Sequence, residues 1–435
     1  MTALAPPPEV LEIADVLERA GFETWCVGGA VRDALLGQAH LDWDLATSAT
    51  PVQVRSLFRR TVPVGIEHGT IGVLDRHGVM HEVTTFRRDV RTDGRHAEVE
   101  FGVSLDDDLA RRDFTINAIA WSPARQALHD PFEGRRDLAA GIVRAVGDAP
   151  TRMREDRLRA LRAIRFAARF TFRIEPATWA AVAASAPDLK RLSAERVRQE
   201  LEKTLDQVRR PSEALGLWQQ ARFFDELLVA LSTVSDVTIR SLDCLAQPGL
   251  VGRPQRRSNR MAALHIELGG RRAAAAMKAL RASNSDVKWV AELAERWEAL
   301  GADITAAISG PSEPQDAAVR RWVAALGRTR VSAFLRLAAA RWGAARALGR
   351  PAPTVTAVRS LYRAAHRIAW HDPVELADLA VDGDDLRGAG ISAGPQLGRT
   401  LEALLGWVLD DPSRNSRDAL MARARTLASA EDRRP

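Results

Sequence analysis

Cysteine is nearly missing from this sequence. Cys26 and Cys244 are its only two in 435 residues, too few and too far apart for a disulfide framework, and they fit a reducing, cytoplasmic setting. Tyrosine occurs once, and aromatic residues make up only 6% of the chain. No stretch approaches about 18 consecutive apolar residues, so no transmembrane helix is expected. Met1 to Val10 contains Pro6-Pro7-Pro8 and lacks a basic start with an apolar core, so a signal peptide is not expected either. The spacings of a zinc ligand set, a P-loop and a nucleophile elbow are all missing. What is abundant is arginine, which supplies almost all of the positive charge behind a net +6. An arginine-rich surface suits a polyanion, because the guanidinium fork binds two phosphate oxygens. A GC-rich genome inflates arginine equally well, so charge alone leaves both explanations open. Apolar content of 46% and charged content of 27% are ordinary for a globular protein, and the length implies two to four domains.

Hydrophobic spacing predicts a helix over 9–19, then a short buried strand over Thr24 to Val27. Gly28-Gly29 makes a turn into a helix over Ala30 to Leu36, closed by Gly37. A second strand over Leu41 to Ala46 carries Asp42 and Asp44, which alternation sends to one face. Thr50-Pro51 opens another helix, and Thr70 to Leu74 with Val79 to Phe86 read as a hairpin containing Glu82. Arg87 to Glu98 is polar, contains Gly94 and reads as a mobile loop, and Ser104 to Ala110 as a capped acidic helix. Another helix is expected after Arg111-Arg112-Asp113, burying Phe114, Ile116, Ala118 and Ile119. Beyond Gly147 strand signals vanish and helical runs follow, beginning with one over Ala149 to Phe170. Joints are expected near Gln247 to Pro254, Gly310 to Pro314 and Gly349 to Pro353, with a frayed end over Glu431 to Pro435. The expected fold class is α+β, a small mixed β-sheet with helices followed by an all-α remainder.

Two carboxylates on one strand face repel, and a divalent cation between them is the usual resolution. Metal-assisted phosphoryl transfer uses such acid pairs to hold two Mg²⁺ ions. Upstream, Gly28-Gly29 lets backbone N–H groups approach a triphosphate, and the helix N-terminus after it favours anions. Arg32, on the first turn of that helix, is placed to reach a phosphate. Glu82 is either a further carboxylate of the cluster or an ordinary charged strand residue. Arg111-Arg112-Asp113 offers either a phosphate-binding arginine or a capping salt bridge.

The run Glu155-Asp156-Arg157-Leu158-Arg159 to Arg165 places Asp156, Arg159, Arg162 and Arg165 every three residues along a polar stripe. A solvated, salt-bridged face is one explanation of the stripe. Base chemistry supplies another. Cytosine and adenine both present an exocyclic amine beside a ring-nitrogen acceptor, so one Asp acceptor beside one Arg donor matches them. Uracil and guanine reverse the order and would leave buried groups unpaired, worth roughly 10⁴-fold in selectivity. His371-Asp372 resembles the core of a metal-dependent phosphohydrolase motif, but its partners are not suitably spaced.

Taken together, Gly28-Gly29-Ala30-Val31-Arg32-Asp33 through Asp42-Trp43-Asp44, Arg111-Arg112-Asp113-Phe114-Thr115-Ile116-Asn117 and Glu155-Asp156-x-x-Arg159 resemble the motifs of the class II tRNA nucleotidyltransferase/poly(A) polymerase family. Asp130-Pro131-Phe132-x-Gly134, Leu192-Ser193-x-Glu195-Arg196 and the stretch from Asp384 to Gly398 agree with it, in the family's order. The resemblance implies a catalytic head over 1–147, a neck over 148–210 that recognises the base, and an RNA-binding body over 211–350. A tRNA-binding tail would occupy 351–435. It further implies addition of C, C and A to the 3′ end of tRNA from CTP and ATP, most like a bacterial CCA-adding enzyme. Asp42 and Asp44 would bind Mg²⁺, Gly29, Arg32 and Arg112 would hold the nucleotide, and Asp156 and Arg159 would read the base with Arg162 and Arg165 alongside. Between Phe86 and Phe101 the chain lacks the tyrosine and Arg-Pro of related enzymes, yet is not grossly deleted. CC-only or A-only addition and poly(A) synthesis therefore stay as alternatives within the family. A non-catalytic RNA-binding protein is the alternative outside it, and loss of Asp42 or Asp44 would have been its signature.

Overall fold

A mixed seven-stranded sheet organises the first part of the chain. The computed structural model describes residues 4–38, 42–92, 97–246 and 254–431. These fall into two compact units, Met1–Thr204 with Glu213–Val229, and Leu205–Ser212 with Ala230–Pro435. In the first unit the strands are β1 (Thr24–Val27), β2 (Asp44–Thr47), β3 (Thr61–Gly65), β4 (Thr70–Leu74), β5 (Met80–Thr85), β6 (Arg87–Thr92), β7 (Ala97–Phe101), β8 (Ala120–Ser122), β9 (Ala127–His129) and a short parallel pair, β10 (Ile142–Val143) with β11 (Arg173–Ile174), the last beyond Gly147 where no strand was expected. Its helices include α1 (Pro8–Arg19), α2 (Gly29–Leu35), α3 (Pro51–Leu57), α4 (Leu105–Ala110), α5 (Gly134–Ala140), α6 (Ala149–Glu155), α7 (Leu158–Phe170), α8 (Pro176–Ala184) and α9 (Ala194–Gln207). The sheet runs β3-β4-β5-β2-β1-β8-β9, and β2 with β5 is its one parallel pairing among the described strands.

Alternation assigns the two faces. Cys26, Leu45, Ile71, Val73 and Val83 are fully buried on one. On the other, Trp25, Val27, Ala46 and Ala120 pack with Phe86, with Leu105 and Leu109 of α4, and with Val146. α1 turns Val10, Ile13, Ala14 and Leu17 inward, the 3.6-residue stripe its sequence shows. The capping expectations hold. Thr50 and Ser104 each accept an amide hydrogen bond from the third helical residue, which answers with its own side chain.

Four expectations are corrected. β2 begins at Asp44, so Asp42 precedes the strand, and Leu41 lies outside the described residues. The segment read as a mobile loop instead forms the antiparallel pair β6 and β7. Residues 93–96 lie outside the described residues. No helix follows Asp113. Thr115–Asn117 is one 3₁₀ turn leading into β8, because the apolar run is buried all round rather than on one stripe. The helix expected over 149–170 is broken between α6 and α7, with Asp156 in extended backbone at φ −142°. The Asp156 carboxylate accepts from the Leu158 amide at 3.1 Å, an aspartate turn that competes with the helix. Strand β3 was not anticipated. Its Pro63 argues against a central strand, and β3 is an edge.

The second unit is helical, around the 26-residue helix Asn284–Ser309 and Val331–Ala347, which buries Phe334, Leu337, Ala338 and Trp342. Further on, Leu386, Leu404, Val408, Leu420 and Ala424 form a separate core. The joint expected over 247–253 lies outside the described residues, as do residues 432–435. Among the described residues no helix is long and apolar enough to cross a membrane.

His265 ends the helix Pro254–His265 fully buried, its Nδ1 on the Met261 carbonyl at 2.8 Å and its Nε2 without a partner. Burial pulls its pKa from 6.5 down to about 4. The fold therefore keeps it neutral, and its contribution is complete above pH 6.5 and lost as pH falls from there toward 4. His265→Phe should remove a stability slope of up to about 1.4 kcal/mol per pH unit across that window. Denaturant unfolding of both proteins at several pH values measures it.

Candidate active site

One cavity of about 620 Å³ collects most of the residues singled out from the sequence, among them Gly28, Gly29, Arg32, Asp42, Asp44, Arg112, Asp156, Arg159 and Arg162. A smaller hollow of about 230 Å³ in the second unit, near Pro311 and Thr354, holds none of them.

The acids sit at one end. β1 delivers the chain to Gly28, whose φ of +75° and ψ of −134° form the turn into α2. A side chain there would lie 3.1 Å from the Arg112 guanidinium and 3.9 Å from the Asp44 carboxylate. Glycine is thus required twice, by backbone conformation and by close approach. Asp44 opens β2, and one step back along the Leu45–Val83 register places Glu82 beside it. Burial, then the charges of Asp42 and Glu82, push the Asp44 carboxyl up to about 7 against the pull of Arg112. The same burial, with Asp44 nearby, pushes the Cys26 thiol up to about 12. A site that concentrates carboxylate charge this way, with oxygen donors alone, fits a hard divalent cation. Among the described residues no group of three or more His, Cys, Asp or Glu is arranged around one metal position, so Asp42 and Asp44 would need water or substrate oxygens to complete a shell.

Arginines line the walls, nearly all of them held by carboxylates. Asp108 of α4 is fully buried and accepts from Arg111 at 2.7 Å and Arg112 at 3.0 Å. Burial alone would raise its pKa, but the two guanidinium groups hold it low. Asp113 behaves the same way. Burial is outweighed by Arg162 and by the Asn117 amide, and the carboxyl stays near 2. Arg162 donates to it at 2.8 and 2.7 Å. Asn117 donates to Asp113 at 2.8 Å and accepts from Arg32 at 2.5 Å. Arg32 also grips Asp33 at 2.6 Å, and Arg169 of α7 reaches the same carboxylate at 2.9 Å. This circuit leaves α7 at Arg162 and returns to it at Arg169. Arg32 is only 3% exposed and lies over the rings of Phe166 and Phe170 at 5.0 and 4.8 Å. It forms a wall of the cavity with each of its three nitrogens already bound to Asp33 or Asn117, a position more constrained than its place in the sequence suggests. The turn carrying Asp113 and Asn117 is braced in turn. Thr115 donates to Asp137 of α5 at 2.7 Å, and Asp130 accepts from the amides of Gly134 and Arg135 at 2.7 and 3.0 Å.

Asp156 and Arg159 both line the cavity, and the Arg159 amide donates to the Asp156 carbonyl at 3.0 Å, but their side chains take different partners. The Asp156 carboxylate takes both its oxygens to Arg196 of α9, at 2.9 and 3.0 Å. Arg159 binds Glu155 at 2.7 Å and the Arg111 carbonyl at 2.8 Å. The helix break between α6 and α7 separates them. Arg165 lies outside the lining, 3% exposed and turned to Glu200 at 2.8 Å. Reading the sequence missed Phe166 and Lys203, and gave Asn117 and Arg196 no role of their own, while Arg111 lines the cavity as one of the two arginines considered for phosphate. Arg196 was visible within a motif, yet its spacing on α9 is that of any salt-bridged helix residue. Asp372, of the discounted His-Asp pair, binds Arg320 at 3.1 Å.

Comparison with known proteins matches two stretches that lie almost wholly in the first unit. The profile of the Poly A polymerase head domain matches residues 24–144, and one described as a probable RNA and SrmB-binding site of polymerase A matches 171–231. The CCA-adding enzyme of Leuconostoc mesenteroides is 48% identical over 204 residues, 46% of this chain and 50% of that protein. The chain spans about half the length of the curated relatives it matches. The crystal structure of the Bacillus stearothermophilus CCA-adding enzyme in complex with CTP superposes with a TM-score of 0.75 at 30% identity, covering 98% of this chain and 99% of that one. The Thermotoga maritima CCA-adding enzyme complexed with tRNA shares the fold, with a TM-score of 0.67 at 20% identity over 98% and 96%.

Gly28→Ala tests the turn. Forcing an L-residue into φ of +75° should cost roughly 1–2 kcal/mol of stability. The added methyl group also pushes on Arg112, so binding of a nucleoside triphosphate should weaken about tenfold. Thermal unfolding and equilibrium nucleotide binding measure the two effects.

Proposed function

The chain belongs to the tRNA nucleotidyltransferase/poly(A) polymerase family, and from that premise we propose that it adds C, C and A to the 3′ end of tRNA, taking CTP and ATP and releasing pyrophosphate without a template. One observation carries the proposal. A single arginine-walled cavity is lined by the glycine turn, by the acid pair Asp42 and Asp44, and by Asp156 with Arg159, the groups needed to grip a triphosphate and choose its base. The Bacillus stearothermophilus relative bound to CTP and the Thermotoga maritima one bound to tRNA support it.

In this proposal Asp42 and Asp44 hold Mg²⁺, which supplies charge neutralisation at the triphosphate and a lowered pKa at the attacking 3′ hydroxyl. Gly29 and the α2 amides face the phosphates, and Arg112 neutralises them from beside Asp44. Arg32 and Arg162 act as walls whose positions Asp33 and Asp113 fix. Asp156 accepts from the exocyclic amine shared by cytosine and adenine, and Arg159 donates to their ring acceptor. Arg196 and Glu155 orient those two. The helices over 148–210 then serve as the neck, 211–350 as the body and 351–435 as the tail gripping tRNA. The work is placed in the cytoplasm.

Incubating the protein with tRNA lacking its 3′ CCA, Mg²⁺ and labelled CTP, ATP or UTP should give ordered incorporation of two C and one A. Long A tails, or addition stopping after C, would identify one of the related activities instead. Asp42→Ala should abolish transfer while tRNA binding persists in a gel-shift assay.

The base reader has its own test. Asp156→Ala should relax selection against UTP and GTP more than it raises the KM for CTP. Arg196→Ala should relax it by a smaller factor, because the carboxylate remains but is no longer held. Unchanged nucleotide preference in both would remove Asp156 from the role.

A further inference from the structure

The sheet face that carries Asp44 is only half covered. Over β1 and β2 it packs with Leu105 and Leu109. Over β3 and β5, Val62, Val64 and Met80 stand 37, 43 and 41% exposed. These three are neighbours by register. Val62 pairs with Gly72, and Gly72 with Glu82. Glu82 in turn lies beside Asp44, one step from the Leu45–Val83 pair. Paired residues on adjacent strands project to the same side, so one cross-strand row runs from the acid pair to the free edge at β3. Gly72 contributes no side chain, and its neighbours close over it. A Cβ there would lie 2.6 Å from the Met80 Sδ and 3.0 Å from a Val64 methyl. The result is an apolar shelf adjoining the carboxylates on a chain otherwise rich in arginine.

The nucleotide cavity lies on the other side of Asp44. Its lining comes from the β1–α2 turn, the segment after α4, α7 and α9, and includes no residue of β3, β4 or β5.

We propose that the shelf of Val62, Val64 and Met80 receives the 3′-terminal nucleotide of the acceptor RNA. The inference rests on the nucleotidyltransferase reading and follows from the direction of attack. The acceptor's 3′ oxygen forms a bond to the α-phosphorus. The bond from that phosphorus to the bridging oxygen breaks, pyrophosphate leaves with the electron pair, and the hydroxyl proton passes to water. Entering and leaving oxygens stand roughly in line. The leaving side is the cavity, where Gly28-Gly29 and Arg112 sit. The entering side is therefore the β5 side of Asp44, and the apolar surface met there, just beyond Glu82, is the shelf. A base face or ribose edge is apolar and binds by contact without regard to sequence, which suits an acceptor whose last nucleotide changes at every step.

The competing occupant is the chain's own β6–β7 hairpin, whose Phe101 ring already covers Gly69 just before β4. A triple variant, Val62→Ser, Val64→Ser and Met80→Ser, distinguishes them, with Val79→Ser as control because Val79 is 55% exposed and sits outside the row. Steady-state transfer onto tRNA lacking CCA should show the KM for tRNA raised about tenfold in the triple variant, with the KM for CTP and the control unchanged. An unchanged KM for tRNA overturns the proposal. If it is accompanied by a lower melting temperature without RNA, the hairpin is the occupant. No transfer by the unaltered protein would instead overturn the nucleotidyltransferase reading, and this inference with it.

Discussion

The first unit depends on the buried ion pair between Asp113 and Arg162. Asp113 lies just before the 3₁₀ turn Thr115–Asn117 and Arg162 on α7, and each has a second support, Asp113 the Asn117 amide and Arg162 the Phe166 ring at 5.3 Å. Breaking such a pair from one side costs several kcal/mol, because the survivor is left charged and unsolvated. The pair is also one link in a closed circuit through Asn117, Arg32, Asp33 and Arg169 that clamps α7 at two points seven residues apart. At 1.5 Å per residue those points are about 10 Å apart along the helix, enough to fix both its position and its tilt. The nucleotide cavity has the α2 turn on one side and α7 on the other, so its width is set by this circuit.

The same economy explains why so many arginines line the cavity without repelling one another. Asp108, Asp113, Glu155 and Asp156 each hold one or two of them. A triphosphate entering meets guanidinium groups whose positions are already fixed, so little side-chain entropy remains to be lost on binding. Opposed to them, the Asp42, Asp44 and Glu82 end concentrates negative charge, as the raised pKa of Asp44 reports.

Which parts of this were legible in the sequence follows from the range of the interactions involved. The glycine turn, the caps at Thr50 and Ser104 and the amphipathic α1 are local devices, and each was readable. Asp42 and Asp44 were readable because their chemistry depends on a spacing of two. The break at Asp156 was not, since leucine and arginine spacing continues unchanged through it and only the aspartate's backbone preference hints otherwise. The partner of Asp156 was out of reach for a different reason. Arg196 is forty residues away, and nothing local separates it from Arg191 or Arg198. Arg32 shows the opposite failure, where a correct location suggested a freedom that Asp33, Asn117 and two phenylalanine rings remove. β3 was hidden by Pro63, which only an edge position tolerates.

If Asp156 reads the base as proposed, its pairing with Arg196 gives that reader an unusual thermodynamic character. Before any nucleotide arrives, the carboxylate already accepts from Arg196 and from the Leu158 amide. A matching base joins or replaces some of those bonds, so its net gain at the reader is smaller than that of a bond to an unengaged carboxylate. A mismatched base disturbs the same bonds and returns nothing. The arrangement therefore separates choosing from holding: the phosphate end supplies a grip indifferent to the base, and the reader supplies a veto.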